Sequence, residues 1–422
     1  MGEASGLSEK TIEIVKATAP VMADKGYEIT KCMYAKMLGE NEDVRALFNP
    51  SHQIEMNGNR AHQPWSLASA IHAYACNIDN LGALGPAVNR IAEKHVSLSI
   101  LPEHYPVVGQ NLMHAVKEVL GDAATEDVCN AWLEAYLFLA NVFIGKETEI
   151  REARSAAEGG WDGWKNFTVK RKAKESEDIV SFYLSPADGG KLPMFKAGAY
   201  TAIRVPCKRT QRNYSISSKP GEEFLRITVK RTGPSGKGAP VGCVSTWLHD
   251  RVKEGDTLEL GVPCGDFLLD DKSLADDKPL VFISGGVGIT PIIAMLESAI
   301  SSGCEKDIVV IAAARDRKVE AMHEVLMKHD KENPNVSVTF LYGKLRMNHI
   351  RKAIGQSKDN HYYFCGPAAF MKVVYSGLKS WNIPEDQVHF EFFGPHRDLL
   401  SSEAPDSPKR EARCPFPFFQ KT

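Results

Sequence analysis

The chain has 422 residues, 43% of them hydrophobic and 25% charged, with 51 lysines and arginines against 53 aspartates and glutamates for a net charge of -2. That length exceeds one hydrophobic core and calls for several domains. The near-neutral balance leaves no basic excess to neutralise a phosphate backbone, which argues against nucleic acid as a partner.

The N-terminus, MGEASGLSEK, is neither an apolar leader nor a basic transit segment. The longest uncharged run, PLVFISGGVGITPIIAML over 279–296, is broken by glycines and a proline, so no membrane span is expected. Nine cysteines, scattered singly without a CxxC pair, fit neither a zinc site nor a disulfide framework. They suit a reducing compartment, and the cytosol is the expectation.

In chain order, residues 1–151 show apolar side chains every three or four positions, which predicts an all-α domain. Gln63, Leu67, Ala70 and Tyr74 share one helical stripe, and Trp132, Tyr136, Ala140, Phe143 and Glu147 share another. In the segment up to about Leu98, Val88, Ile91, Ala92 and His95 fall at i, i+3, i+4 and i+7, which puts an imidazole on an apolar face. Such a histidine is either a core residue satisfied by a carbonyl or a metal or cofactor ligand, and this stretch alone does not choose. Cys76, Cys129 and Cys365 read as small core residues. EARSAAEGG, 152–160, reads as a linker.

From Trp161 the period changes to short β-branched and aromatic runs separated by Gly, Pro and Asp, predicting an antiparallel β-barrel domain over 161–270. Over 278–396 strands alternate with helices, the pattern of a parallel sheet in an α/β domain. The segment 397–422 is rich in Ser, Pro and charge and reads as a disordered tail. Within the α/β region, the strand PLVFIS runs into Ser284, Gly285, Gly286, Val287, Gly288, Ile289 and Thr290 and then a helix with Pro291 in its first turn. Glycines there let backbone approach a pyrophosphate, and the helix N-terminus favours the anion. Earlier, RNYSISS offers Arg212 to a phosphate, Tyr214 to a flat ring and Ser215 to a polar ring edge.

The order RNYS, GCVSTWLH, SGGVGITP, HYYFCGP and EFFGP resembles the ferredoxin reductase family, in which a barrel binds FAD and an α/β domain binds NAD(P)H. With VKATAP, AYACNIDN, AEKHVSLSILPEHYPVVG and LANVFIGKETEI in front, residues 7–396 resemble the flavohaemoglobins. That resemblance implies His95 as the proximal haem iron ligand with Lys94 beside it, and Tyr105 and Glu147 hydrogen-bonding around it. It implies Tyr34, Gln63 and Leu67 on the distal face, where oxygen sits. For FAD it implies Tyr200, Arg212, Asn213, Tyr214, Ser215, Gly242, Val244 and Ser245, with Glu391, Phe392, Phe393, Gly394 and Pro395 near the flavin and nicotinamide rings. For NAD(P) it implies residues 284–290 together with Cys365, Gly366 and Pro367.

The implied cofactors are haem b, FAD and NADH or NADPH. Arg315 and Arg317 suit a 2'-phosphate and Asp316 a ribose hydroxyl, so both dinucleotides stay open. The implied activity is that of a cytosolic, monomeric nitric oxide dioxygenase whose partners are the small molecules NO and O2, with the flavin converting a hydride into single electrons for the haem. The rival readings are an NAD(P)H-driven haem peroxide or hydroperoxide reductase and an O2 or NO sensor. Three features depart from the pattern, one of them the segment after His396, which runs past where the family usually stops. Pro64 follows Gln63 and disfavours a helical residue before it, so the helix either begins there or displaces the glutamine. RTGPSGKGAPVGCVS carries extra Gly and Pro and places Cys243 in the phosphate loop.

Overall fold

Ser8 opens the first helix: its side chain accepts from the Thr11 N–H, and Glu9 lies in the first turn, where the helix dipole favours an acid. The structure, a computed structural model, describes residues 6–55, 60–205, 210–233, 242–355, 357–391 and 393. Phe392, Gly394, Pro395 and the tail 397–422 lie outside the described residues. The chain divides into two compact units after Arg151.

The first unit is helical: α1 (Glu9–Glu40), α2 (Glu42–Leu47), α3 (His62–Cys76), α4 (Gly85–Ser97), α5 (His104–Leu120) and α6 (Glu126–Ala156). On α1, Val15, Met22, Ile29, Met33 and Met37 are buried among Tyr74, Ile78, Leu112, Val116 and Trp132. Burial of each such side chain contributes about 1.5–3 kcal/mol, which is why a helix with a weakly amphipathic sequence still holds its place. By length and composition α6 would suffice to cross a membrane; here it buries one face, with Trp132, Ala135, Ala140, Glu147 and Ile150, and leaves Leu133, Leu137 and Val142 exposed. It runs on to Ala156, inside the stretch expected as a linker, since EARSAA consists of helix formers. Cys76 is exposed rather than a core residue because it is the last residue of α3, whereas Cys129 and Cys365 are buried as expected.

The second unit begins with β1 (Trp164–Lys174), β2 (Ile179–Pro186), β3 (Tyr200–Val205), β4 (Thr210–Ser215), β5 (Leu225–Lys230), α7 (Cys243–Asp250) and β6 (Thr257–Gly261). The strands form a six-stranded sheet in the order β4-β3-β6-β1-β2-β5 with antiparallel pairings. A bridge from Ile216, just past β4, to Ile227 in β5 joins the two edges into a barrel. After α8 (Asp271–Ala275) come β7 (Leu280–Gly285), α9 (Ile289–Ser301), β8 (Ile308–Ala314), α10 (His323–Glu332), β9 (Val336–Tyr342), α11 (Met347–Ile354), β10 (His361–Cys365), α12 (Ala368–Ser380) and β11 (Val388–Glu391). These strands pair in parallel in the order β11-β10-β7-β8-β9. LVFISG and HYYFC are buried along their whole length, as central strands covered on both faces must be. The order reverses between β7 and β10, and in open sheets the crevice beyond the strand ends at such a reversal is where ligands bind.

Candidate functional site

Helix α4 ends one turn after His95 in a Schellman motif: Ile100 N–H donates to the His95 carbonyl at 2.9 Å and Ser99 N–H to Val96 at 3.0 Å. Ser99 takes the left-handed conformation this requires, φ 53°. The chain then turns back so that Tyr105, in the first turn of α5, meets the same imidazole. His95 Nδ1 lies 2.7 Å from Glu147 Oε1 and 3.1 Å from the Tyr105 hydroxyl, which itself donates to Glu147 Oε1 at 2.5 Å. Glu147 is 2% exposed. A buried carboxylate accepts hydrogen bonds, so Nδ1 carries the proton and Nε2 keeps its lone pair for a metal. Tyr105 is held from behind by Tyr136, whose hydroxyl donates to the Tyr105 carbonyl at 2.6 Å. Burial, then the bond to Glu147, pushes the Tyr105 hydroxyl well above its usual range, so it stays a donor. The Phe143 ring packs tilted against His95 at 5.8 Å between centroids. Lys94 is half-buried beside it.

A second cluster lies between α1 and α3. Tyr34 is 5% exposed and accepts from the Gln63 side-chain amide, Nε2, at 3.2 Å, with Phe48 edge-on to its ring. Because the amide donates, the Tyr34 proton is left to a further acceptor. Burial pushes this hydroxyl up to about 12, opposed by the bond from Gln63, so it remains protonated. A helix starts at the proline: α3 begins at His62, Pro64 sits in its first turn, and Gln63 beside it meets the Tyr34 hydroxyl. Leu67, one turn further on, packs on the same core as Tyr34.

In the barrel, Tyr200 leads β3 and exchanges backbone bonds with Cys264, while Arg212, Asn213, Tyr214 and Ser215 end β4. Burial pushes the Tyr214 hydroxyl up, opposed by the neighbouring Arg212 charge, which leaves a neutral phenol beside a guanidinium. Gly242 caps α7 without a side-chain acceptor, and the N-terminus of a helix capped in this way favours an anion. Val244 and Ser245 are buried in its first turn, and Thr246 Oγ1 is buried without a protein partner. Most of the phosphate loop, 234–241, lies outside the described residues.

At the sheet reversal, Ser284 and Gly285 end β7, Gly286–Gly288 form a 3-10 turn with Gly286 at φ 57°, and Ile289 and Thr290 open α9. A Cβ on Gly288 would lie 2.1 Å from the Cys365 carbonyl oxygen, so only glycine lets the turn close against β10. Cys365 is fully buried and pairs in register with Glu391 of β11. Burial, then the Glu391 charge, pushes its thiol well up and keeps it neutral. Gly366 and Pro367 follow directly, packed at Phe370 and Gly285. Phe393 is half exposed.

Three family descriptions match the chain in order: Globin over residues 31–143, Oxidoreductase FAD-binding domain over 166–268 and Oxidoreductase NAD-binding domain over 282–376. A flavohemoprotein of Halalkalibacterium halodurans is 42% identical over 415 residues, covering 94% of this chain and 99% of the relative. The chain belongs to the flavohemoprotein family. A flavohemoprotein of Rhodopirellula baltica is also 42% identical, over 94% of this chain and all of its own. Among solved structures, the flavohemoglobin from Malassezia yamatoensis with bound FAD and heme superposes with a TM-score of 0.79 at 26% identity, covering 92% of this chain and 100% of that one.

As a flavohemoprotein, the chain is an oxidoreductase that passes electrons from NAD(P)H through FAD to haem, and its residues fit those cofactors. His95 Nε2 is the unengaged nitrogen of an oriented ring. The N-terminus of α7, with a Thr246 hydroxyl that has no partner among the described residues, suits a pyrophosphate. The Gly288 turn lies at the strand reversal, a position whose geometry suits a dinucleotide. Sequence reasoning missed the supporting residues Thr246 and Ser99. Tyr136 stood on the predicted stripe of α6, but nothing local marked its hydroxyl.

Proposed function

We propose that this flavohemoprotein is a nitric oxide dioxygenase, converting 2 NO, 2 O2 and NAD(P)H into 2 nitrate, NAD(P)+ and a proton. Haem and FAD, when bound, would supply the redox chemistry: a flavin able to accept a hydride and pass on single electrons, and an iron able to receive them. The observation that carries the reading is the Tyr34 hydroxyl, kept protonated by burial and oriented by Gln63, which provides a donor for an oxygen atom gaining negative charge. His95 would hold the iron through Nε2, with Glu147 and Tyr105 orienting the ring and making it a stronger donor. Arg212 and the α7 N-terminus would hold the FAD phosphates, and Tyr214 and Ser215 its ring. The turn 284–290, with Cys365, Gly366 and Pro367, would hold the dinucleotide. We place the protein in the cytosol, in keeping with the seven described cysteines, all of them free.

Stopped-flow NO consumption with and without O2, at matched NADH and NADPH, tests the activity. Stoichiometric nitrate formed only with O2 is expected, and NO loss independent of O2 overturns the reading. Tyr34→Phe removes one charge-assisted bond, contributing about 1.5–3 kcal/mol, so O2 should leave the reduced holoprotein roughly tenfold faster or more. An unchanged rate returns Tyr34 to the role of a core aromatic. Glu147→Gln and Tyr105→Phe should keep haem content but raise the haem potential or slow NO turnover, and should do so non-additively because both act on one oxygen, Glu147 Oε1. Spectroelectrochemistry of the two single variants and the double variant decides it: small, additive shifts would leave His95 a plain ligand.

A further inference from the structure

Helices α1 and α3 pack closely where Gly26 faces Ala68; a Cβ on Gly26 would lie 3.4 Å from the Ala68 Cβ. From this crossing, α1 presents three hydroxyls to the first turn of α3. Tyr27 accepts from the Ala61 N–H at 2.8 Å, Thr30 Oγ1 donates to the Pro64 carbonyl at 2.8 Å, and Tyr34 accepts from Gln63 Nε2 at 3.2 Å. Positions 27, 30 and 34 lie on one helical stripe, so the three contacts come from a single rigid face.

The N-cap of α3, Ala61, has no side-chain acceptor, and Pro64 brings no N–H. Thr30 is fully buried, and its single hydroxyl proton has three carbonyls in reach. Gly26 at 3.0 Å and Tyr27 at 3.2 Å, both on its own helix, are longer than Pro64 at 2.8 Å. A valine would fill the same space without a polar group to satisfy, so what distinguishes threonine here is a bond to the neighbouring helix. Tyr27 stands at the outer end of the stripe, and its hydroxyl also donates to Glu55.

We propose that Thr30 is a positioning residue for the Tyr34–Gln63 pair: its bond to the residue after Gln63 sets where the amide meets the Tyr34 hydroxyl and thus where that hydroxyl points its proton. The inference rests on the reading that this pair faces the haem's ligand, and it makes the orientation of the donor a property of the α1–α3 contact.

The test uses the full haem-loaded chain, reduced, with carbon monoxide and O2 as probes. Thr30→Val, Thr30→Ser, Gln63→Leu and the Thr30→Val/Gln63→Leu double variant are compared by C–O stretching frequency and O2 dissociation rate. Thr30→Val should shift the stretch in the same direction as Gln63→Leu and speed O2 release on the order of fivefold, the worth of one hydrogen bond. Thr30→Ser should restore both values, and the double variant should go no further than Gln63→Leu. A Thr30→Val protein with parental stretch and rate, beside a shifted Gln63→Leu, overturns the positioning role. So does a Thr30→Val shift that serine fails to rescue or that adds fully to that of Gln63→Leu. If Gln63→Leu itself shifts neither probe, the reading of the pair fails and this inference falls with it. Should Thr30→Val not take up haem, Thr30→Ala against Thr30→Ser makes the same comparison.

Discussion

His95→Ala is expected to abolish haem retention while NAD(P)H-driven reduction of an artificial acceptor at the flavin continues at close to the parental rate. The imidazole belongs to the unit that ends at Arg151, whose core is built on α1, α3, α5 and α6. The residues proposed for hydride entry, from Tyr214 and Ser215 to the glycine turn, belong to the other unit, and the sheet around that turn has a separate core. Removing the ring takes one donor from the buried Glu147 carboxylate and leaves Tyr105 as the other, at a cost of roughly 1–3 kcal/mol to the helical unit. That is a large share of a domain's stability but need not unfold it. Haem content from the pyridine haemochrome spectrum and reduction of ferricyanide decide the matter. A folded, FAD-replete variant that loses both functions would show that the two halves do not act separately.

Gly288→Ala should slow reduction of the flavin by NAD(P)H by on the order of a hundredfold, since misplacing a bound group by an ångström can have that effect. The reason is packing rather than backbone strain. Gly288 sits at φ -61°, a conformation alanine adopts freely. A Cβ there would meet the Cys365 oxygen at 2.1 Å, the Cys365 carbonyl carbon at 2.5 Å and Gly366 N at 2.8 Å, all backbone atoms that cannot swing aside. Either the turn lifts off β10 or β10 shifts, and both open the crevice. Gly286 makes the opposite case: nothing lies within 4 Å of its Cβ position, but φ is 57°, so Gly286→Ala should cost about 1–2 kcal/mol of local strain with a milder effect on rate. Stopped-flow flavin reduction by NADH and NADPH, with dithionite reduction of flavin and haem as the control, distinguishes the two. Parental kinetics in Gly288→Ala would remove the turn from the dinucleotide site.

The same dinucleotide turn shows how far local pattern reaches. A strand that runs into glycines and then into a helix is a continuous stretch of chain, and its geometry follows from residues a few positions apart. The change from helical to alternating period near Trp161, and again near Pro279, is equally local, so three folding regimes were legible without coordinates. What α3 does at Pro64 was not. The proline allowed either a displaced glutamine or a helix start, and the helix start met there is bonded by Thr30 as donor and Tyr27 as acceptor, residues thirty-four positions before their partners, at a turn whose N-cap has no side-chain acceptor.

The sequence by itself determined the succession of a helical region, an antiparallel-strand region and an alternating strand–helix region, the glycine turn that opens a helix after a strand, and that His95 shares an apolar stripe, because these depend on backbone periodicity and near neighbours. Only the tertiary structure decided that His95, Tyr105 and Glu147 share one proton-bonded cluster across separations of 10, 42 and 52 residues, and that Cys76 is exposed. It also decided that β10 lies beside β7, at the reversal that makes the crevice. Hydrogen bonds between side chains require atoms within about 3 Å of one another, and which distant residues come that close is set by how whole helices and strands pack.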